Sequence, residues 1–259
     1  VIWGVVPAAG AGSRIQPLAF SKELLPVGSR VVAGVERPRA VSEYLVERMI
    51  AGGAERLCFV ISPGKSDIVE YWGGEVGPAR ICYAVQPRPT GLCDALFRVL
   101  PFVSRDDVLL VGLPDTVWFP VDAFRALEPA GLSFLLFPVE RPELFDAVLH
   151  DADGTVREIQ VKAPAPATRW IWGGFRASGA ILSELHELWR VRGGQDAYVG
   201  TLVNAWLALG GAAVATRAGE SYVDVGTLHG WHEALALLRA RGAGAADAAG
   251  AGLGAGAPG

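Results

Sequence analysis

The chain opens on an unbroken apolar run, Val1-Ile2-Trp3-Gly4-Val5-Val6, the pattern of a strand buried on both faces of a sheet. The residues from Pro7 to Gly12 then predict a turn. Across 37–51 the apolar positions Val41, Leu45, Val46 and Met49 fall at helical spacing, and Gly52-Gly53 stops that helix. A second buried strand is expected at 57–61, closed by Pro63-Gly64. The same alternation continues with strands at 81–85, 108–111 and 132–139 and helices at 91–100 and 121–127. Strand, turn and helix in this rhythm predict a parallel sheet covered by helices.

Beyond about residue 138 the pattern changes. Two apolar stretches, 147–150 and 156–161, flank Asp151-Ala152-Asp153-Gly154, which predicts a hairpin with an Asp-Gly turn. A further strand is expected at 170–175, and helices at 181–189 and 198–209. Trp170, Trp172 and Phe175 are expected to pack on the sheet, with one of them able to border a pocket. No Ser/Pro-rich linker separates the halves, so one domain with a composite cleft is expected over 1–241, its halves being about 1–138 and 139–241. From Gly242 to Gly259 all but Asp247, Leu253 and Pro258 are Gly or Ala. That stretch cannot bury enough surface to offset ordering and is expected to be a disordered tail.

Composition narrows the classes of function. With 259 residues, 51% hydrophobic and 19% charged, a sizeable core is available. The 23 Lys+Arg and 27 Asp+Glu leave a net charge of −4. That balance argues against a nucleic-acid partner held by phosphate neutralisation. No apolar run approaches the roughly 18 residues needed to span a bilayer, so no membrane partner is expected. The start has no basic leader, and with Met49 as the sole Met an initiator is missing. Cys58, Cys82 and Cys93 lack metal spacing and read as small buried thiols of a reducing compartment. The four histidines show no metal spacing either.

The chemistry concentrates in Pro7-Ala8-Ala9-Gly10-Ala11-Gly12-Ser13-Arg14. This segment leaves a buried strand through residues with almost no side chain and then delivers a fixed cation. Backbone N–H groups in such a turn can face an anion when no Cβ blocks the approach. Arg14 adds a planar donor fork suited to phosphate oxygens, and Lys22 a second, more mobile charge. A Walker A loop is excluded because Gly-Lys-Ser/Thr is absent, and Ile15 breaks the dinucleotide fingerprint. Small residues here could also serve only tight strand-to-helix packing.

With Arg14 and then Lys22 inside Ser21-Lys22-Glu23-Leu24-Leu25-Pro26, the segment resembles the signature of the sugar-1-phosphate nucleotidyltransferases, the nucleotide-sugar pyrophosphorylases. The likeness continues through Val85-Gln86-Pro87-Arg88-Pro89-Thr90-Gly91-Leu92, Leu113-Pro114-Asp115, Val161-Lys162-Ala163-Pro164 and Asp224-Val225-Gly226-Thr227, in the family's order. It is nearest in plan to the glucose-1-phosphate thymidylyltransferases and the bacterial uridylyltransferases. The resemblance implies a Rossmann-like three-layer α/β nucleotidyltransferase fold with a mostly parallel, mixed central sheet. It implies transfer of a nucleotidyl group from dTTP or UTP to a sugar 1-phosphate, with Mg²⁺ as cofactor and pyrophosphate released. It also implies a homo-oligomer, and nucleotide substrates imply a cytoplasmic setting.

Residue roles follow from the same likeness. Arg14 and Lys22 would act catalytically on the phosphates. Ala8, Ala9, Gly10 and Gly12 would cradle the nucleotide, with Gln86 and Gly91 beside its base. Asp115 and Asp224 would hold the metal, while Lys162 and Gly174 would bind the sugar phosphate. Each has a plainer alternative: a helix N-cap for Asp115, a turn cap for Asp224, a hairpin-edge charge for Lys162, and edge-strand and helix-start roles for Gln86 and Gly91. The sugar side departs from the family pattern. Val161 stands where a sugar-binding Glu is usual, and Asp146 where a Gly is usual. The Arg14–Lys22 spacing is shorter than in pyrophosphorylases and is similar to that of isoprenoid-pathway cytidylyltransferases. Cytidylyl transfer to a phosphorylated alcohol, and a non-catalytic nucleotide-sugar-binding regulator, are therefore the alternatives.

Overall fold

The opening apolar run becomes β1 (Ile2–Pro7), a strand in the middle of the sheet, paired in parallel with β4 (Arg56–Ile61) and β7 (Val108–Gly112). This explains why the run carries no polar face: Trp3 and Val5 enter one core while Val6 enters the other. The computed structural model describes residues 1–242. Beyond β4 the sheet continues through β6 (Ala79–Val85), parallel to it, to the short antiparallel edge β5 (Glu75–Val76). On one face lie α1 (Val41–Ala51) and α2 (Ser66–Trp72). On the other lie α3 (Leu92–Phe97), α4 (Gly179–Val191) and α5 (Val199–Ala208). The molecule is a three-layer α/β fold.

The second half joins the same sheet through β12 (Trp170–Ser178), antiparallel to β7 along one edge and to β9 (Leu132–Pro138) along the other. The hairpin β10 (Asp146–His150)–β11 (Val156–Val161) forms as the Asp-Gly turn predicts, and β10 pairs with β12. Strand β13 (Ala213–Thr216) runs parallel to β9. The sheet is thus mixed, parallel from β6 to β7 and antiparallel around β12. Its order, β11-β10-β12-β7-β1-β4-β6-β5, crosses the expected 138/139 divide without a break.

Several expectations change. The helix predicted from residue 37 begins at Val41, because 26–40 form a separate hairpin of β2 (Pro26–Val32) and β3 (Val35–Ala40). Its turn is Ala33-Gly34, both with positive φ (51° and 78°), a geometry seldom signalled by alanine. The helix predicted at 121–127 is one short 3-10 turn, Ala123–Ala126. Between it and β7 the chain forms β8 (Thr116–Phe119), which pairs antiparallel with β14 (Ser221–Asp224), more than a hundred residues later. The last helix, α6 (Leu228–Gly242), includes Gly242, the first residue of the expected tail. The rest of that tail, 243–259, lies outside the described residues. All three cysteines are free thiols, and no helix among the described residues is long and apolar enough to cross a membrane.

Candidate active site

Ala8 ends β1's run by donating its N–H to the Val60 carbonyl at 2.7 Å, which holds the loop's start against β4. From Ala9 to Arg14 no backbone N–H donates to another described residue. A row of unused donors at the carboxyl end of a central strand can receive an anion. Gly12 has φ of 65°, and a Cβ there would lie 2.8 Å from the Lys22 Cδ. Glycine is needed for the turn and for the passage of the lysine side chain. Gly10 is exposed and faces open space.

Four charged side chains from distant parts of the chain converge beside this loop. Lys22 Nζ donates to Asp115 Oδ2 at 2.5 Å, and Arg14 Nη1 to Asp224 Oδ2 at 2.9 Å. The two pairs meet over Gly226. A Cβ at that residue would lie 2.8 Å from Arg14 Nη2, 2.8 Å from Asp224 Oδ1 and 3.3 Å from Asp115 Oδ2. Asp115 follows β7 and precedes β8, while Asp224 ends β14, so the β8–β14 pairing brings the two aspartates together. Val225 N–H donates to the Asp115 carbonyl at 2.8 Å, and Gly226 N–H to Asp224 Oδ1 at 2.7 Å. Neither aspartate is a helix cap, although Asp224 does accept within its own turn.

Burial pushes the Asp115 carboxyl upward, but Lys22 outweighs it and holds the group below the usual carboxylate range. Burial alone would lower Lys22; Asp115 and Glu23 override it and raise the lysine. Arg14 is raised as well, burial being offset by Asp224 and Asp115. All these groups stay charged at neutral pH. The pairs differ in freedom: the Lys22 side chain is 15% exposed and that of Arg14 is 60% exposed. Arginine can therefore swing towards a ligand at small cost. Among the described residues no three His, Cys, Asp or Glu side chains form a metal cage. Two carboxylates on either side of a residue without a Cβ suit a hard cation that takes its other oxygens from a ligand or water.

The sequence reading missed what holds the loop from below. Lys65, at the end of the β4 turn, donates to both Glu23 carboxylate oxygens at 2.8 Å and to the Ala8 carbonyl at 2.6 Å. Asp67 accepts from Ser21 N–H at 2.6 Å and from Ser21 Oγ at 2.7 Å. Pro63-Gly64-Lys65 carries a turn signal only, so nothing local marks Lys65 as a support.

The remaining predicted residues form two further groups. Gln86 is buried at the end of β6, its amide nitrogen donating to Asp94 Oδ2 at 2.9 Å and to the Gly91 carbonyl at 3.0 Å. Asp94 also accepts from Thr90 and Arg98. A Cβ at Gly91 would lie 2.7 Å from the Ala197 Cα, so this glycine answers the approach of another chain segment. Lys162, with φ of 46°, donates to the Leu144 carbonyl and lies 5.6 Å from the centre of the Phe145 ring. It makes no contact with the Arg14–Asp224 or Lys22–Asp115 pairs. Gly174 lies in β12 opposite Gly112, where a Cβ would meet Phe124 and the Val111 carbonyl at 2.9 and 3.0 Å. Packing accounts for that glycine.

The chain is similar to several known proteins. The chain is 25% identical over 245 residues to a glucose-1-phosphate thymidylyltransferase of Neisseria meningitidis, covering 91% of this chain and 82% of that one. It is 32% identical over 177 residues to a UTP–glucose-1-phosphate uridylyltransferase of Haloferax volcanii, covering 66% and 69%. A UTP-bound UGPase structure from Acinetobacter baumannii superposes with a TM-score of 0.74 at 17% identity, over 92% of this chain and 93% of the other, which shows the shared fold. The nucleotidyl transferase family model matches residues 3–241, so the chain belongs to the nucleotidyl transferase family.

Proposed function

We propose that this protein transfers a nucleotidyl group from a nucleoside triphosphate to a sugar 1-phosphate, forming an NDP-sugar and releasing pyrophosphate. The observation that carries the reading is the meeting of Arg14, Lys22, Asp115 and Asp224 over Gly226, beside a loop of unused N–H groups. The attacking sugar phosphate is already an oxyanion, so a general base is not needed. The protein has to align the reactants and neutralise charge on the α-phosphate and the departing pyrophosphate. Loop N–H groups between Ala9 and Arg14 donate to phosphate oxygens. Arg14 leaves Asp224 to grip the leaving pyrophosphate, and Lys22 neutralises the α-phosphate region. Asp115 and Asp224 would hold Mg²⁺, the absence of a Cβ at Gly226 letting both carboxylates approach the same point. When bound, that ion supplies Lewis-acid neutralisation of phosphate oxygens.

The donor preference is read from Gln86. Asp94 carries a carboxyl held below its usual range: burial raises it, but Thr90, Gln86 and Arg98 outweigh that. As an ionised carboxylate it can only accept, so Gln86 must turn its NH₂ inward and its carbonyl oxygen away. An outward acceptor matches the N3–H of uracil or thymine and meets the bare N3 of cytosine. This supports dTTP or UTP over CTP, and hence a sugar enzyme over a cytidylyltransferase. Lys162 would receive the sugar phosphate, and nucleotide substrates support a cytoplasmic setting.

A pyrophosphate-release screen tests the reading: each nucleoside triphosphate against a panel of hexose 1-phosphates and methylerythritol phosphate, with and without Mg²⁺. Metal-dependent release with UTP or dTTP and a hexose 1-phosphate is expected. Release only with CTP and methylerythritol phosphate would transfer the assignment to cytidylyl chemistry. Silence with every pair, alongside tight binding of an NDP-sugar, would identify a regulator instead.

A further inference from the structure

The three cysteines read alike in the sequence, as buried thiols, but the fold separates them. Cys58 and Cys93 are buried, whereas Cys82 is partly open to solvent. Strands β4 and β6 run in parallel with Cys58 directly opposite Cys82. Both side chains lie on the face covered by α3, α4 and α5, Cys58 inside that core and Cys82 packed against it. Neighbouring strands lie about 4.8 Å apart, inside the roughly 4.4–6.8 Å that a disulfide spans between Cα atoms. The two sulfurs can therefore join without a change of register.

The surroundings favour one thiol over the other. Side chains alternate along a strand, so Arg56 and Arg80, two positions before Cys58 and Cys82, share their face. Arg56 and Arg80 are themselves register partners, both exposed, and like charges directly opposite repel. The Arg56 guanidinium lies over the Trp3 ring, 5.2 Å from its centre. Glu75 of β5 is the partner of Arg80 on its other side, yet among the described residues neither arginine forms an ion pair. A hydrogen bond from Cys58 outweighs burial and, with the Arg56 charge, holds the Cys82 thiol below its usual range. The same hydrogen bond, with burial, raises Cys58. Cys82 is thus the more readily ionised, reachable thiol, and Cys58 a second thiol held against it.

Three chemistries can be compared at this place. A metal ion would find two sulfurs, no third ligand and two repelling cations. A purely structural pair would need neither the opening to solvent nor the arginines. A small disulfide that carries carboxylates meets both features. We infer that Cys82 is a thiol-exchange site for an anionic disulfide of the glutathione type, and that Cys58 then closes an internal bridge to it. The Cys82 thiolate attacks one sulfur of the small disulfide, whose S–S bond breaks; a mixed disulfide forms, and the other half leaves as a thiolate that takes up a proton. Cys58 then attacks the Cys82 sulfur, its proton passing to the second departing thiolate. In sum, two protein thiols are oxidised to one disulfide while one small disulfide is reduced to two thiols. The bridge would tie together the two strands that hold the nucleotide side: Val60 of β4 accepts from Ala8 N–H, and Ile61 of β4 from Gln86 N–H just past β6. The site itself does not depend on the transfer reading.

The test needs no turnover. The full chain, reduced and freed of reductant, is treated with glutathione disulfide, neutral hydroxyethyl disulfide or cationic cystamine and followed by intact mass and peptide mapping. Wild type should end two hydrogens lighter, with Cys58 and Cys82 in one cross-linked peptide pair. Relative to a free small thiol, it should favour glutathione disulfide over cystamine by roughly 10-fold in rate at low salt, a preference that high salt removes. Cys58→Ala should stop at the mixed disulfide on Cys82. The double variant Arg56→Gln, Arg80→Gln changes only exposed positions and should lose the charge preference, which keeps the test open should Cys58→Ala fold poorly. Wild type that forms no bridge between Cys58 and Cys82, or that reacts with the anionic and cationic disulfides at equal relative rates, would overturn the assignment.

Discussion

Asp115 is nearly closed to water yet remains ionised because Lys22 lies against it, while Arg14 pairs with Asp224 from a more exposed position. Before substrate arrives, the two cations and two carboxylates neutralise one another. In the proposed reaction a triphosphate would take the cations and a metal ion the carboxylates. Asp115→Asn and Arg14→Ala should each lower kcat by roughly 10² or more, as when a charge-stabilising group is lost. Steady-state rates on variants with normal far-UV circular dichroism check this. A second prediction concerns Asp94. Its folded pKa lies below the unfolded value of about 3.9, so its stabilisation is present above that pH and lost as pH falls through the folded value. The fall in thermal midpoint between about pH 5 and pH 3 should therefore be smaller in Asp94→Asn than in wild type. The Gly91 carbonyl also takes a donor from the Gln86 amide, so the same variant should keep its preference for UTP over CTP in a competition assay.

The element that matters most is the loop between β1 and β2, and its support is tertiary. Lys65 clamps it through Glu23 and the Ala8 carbonyl, and Asp67 through Ser21. Burial outweighs both lysines at Glu23 and raises its carboxyl, so this acid depends on its ion pair. Lys65→Met would leave Glu23 buried and unpaired, at a cost of about 3 kcal/mol in urea-unfolding stability. It should also raise the KM for the nucleotide, because the loop's donors would no longer be held in place. Most strands of the sheet were legible as apolar runs, because a strand buried on both faces has no polar positions to confuse the pattern. The 26–40 hairpin was not, since its Ala33-Gly34 turn carries a weak signal and its strands are largely exposed. β8 and β14 are four-residue strands that exist only as each other's partners.

At the scale of the molecule, one sheet joins the first half of the chain to the second through β12, and β14 returns to β8 to deliver Asp224. No break in the sheet or separate core divides the halves, so residues 1–242 should unfold in one cooperative transition by calorimetry. UTP with Mg²⁺ at about 100 times Kd should stabilise the fold by about 2.7 kcal/mol, and chelation of the metal should remove much of that shift. Two resolved transitions, only one of them ligand-sensitive, would contradict this coupling.

The sequence by itself supplied the ingredients: a loop of small residues, two cations and two aspartates in an order that resembles the family's, with plainer structural roles still open to each. It also marked Val161 and Asp146 as departures, without saying how they relate. Tertiary structure decided which of these groups meet. Asp115 and Asp224 are 109 positions apart (224 − 115) and meet over Gly226 only because β8 pairs with β14. Strand register sets Asp146 between Val161 and Trp172. Spacing along a chain reports local geometry, whereas convergence depends on pairings between segments that carry no mark of each other.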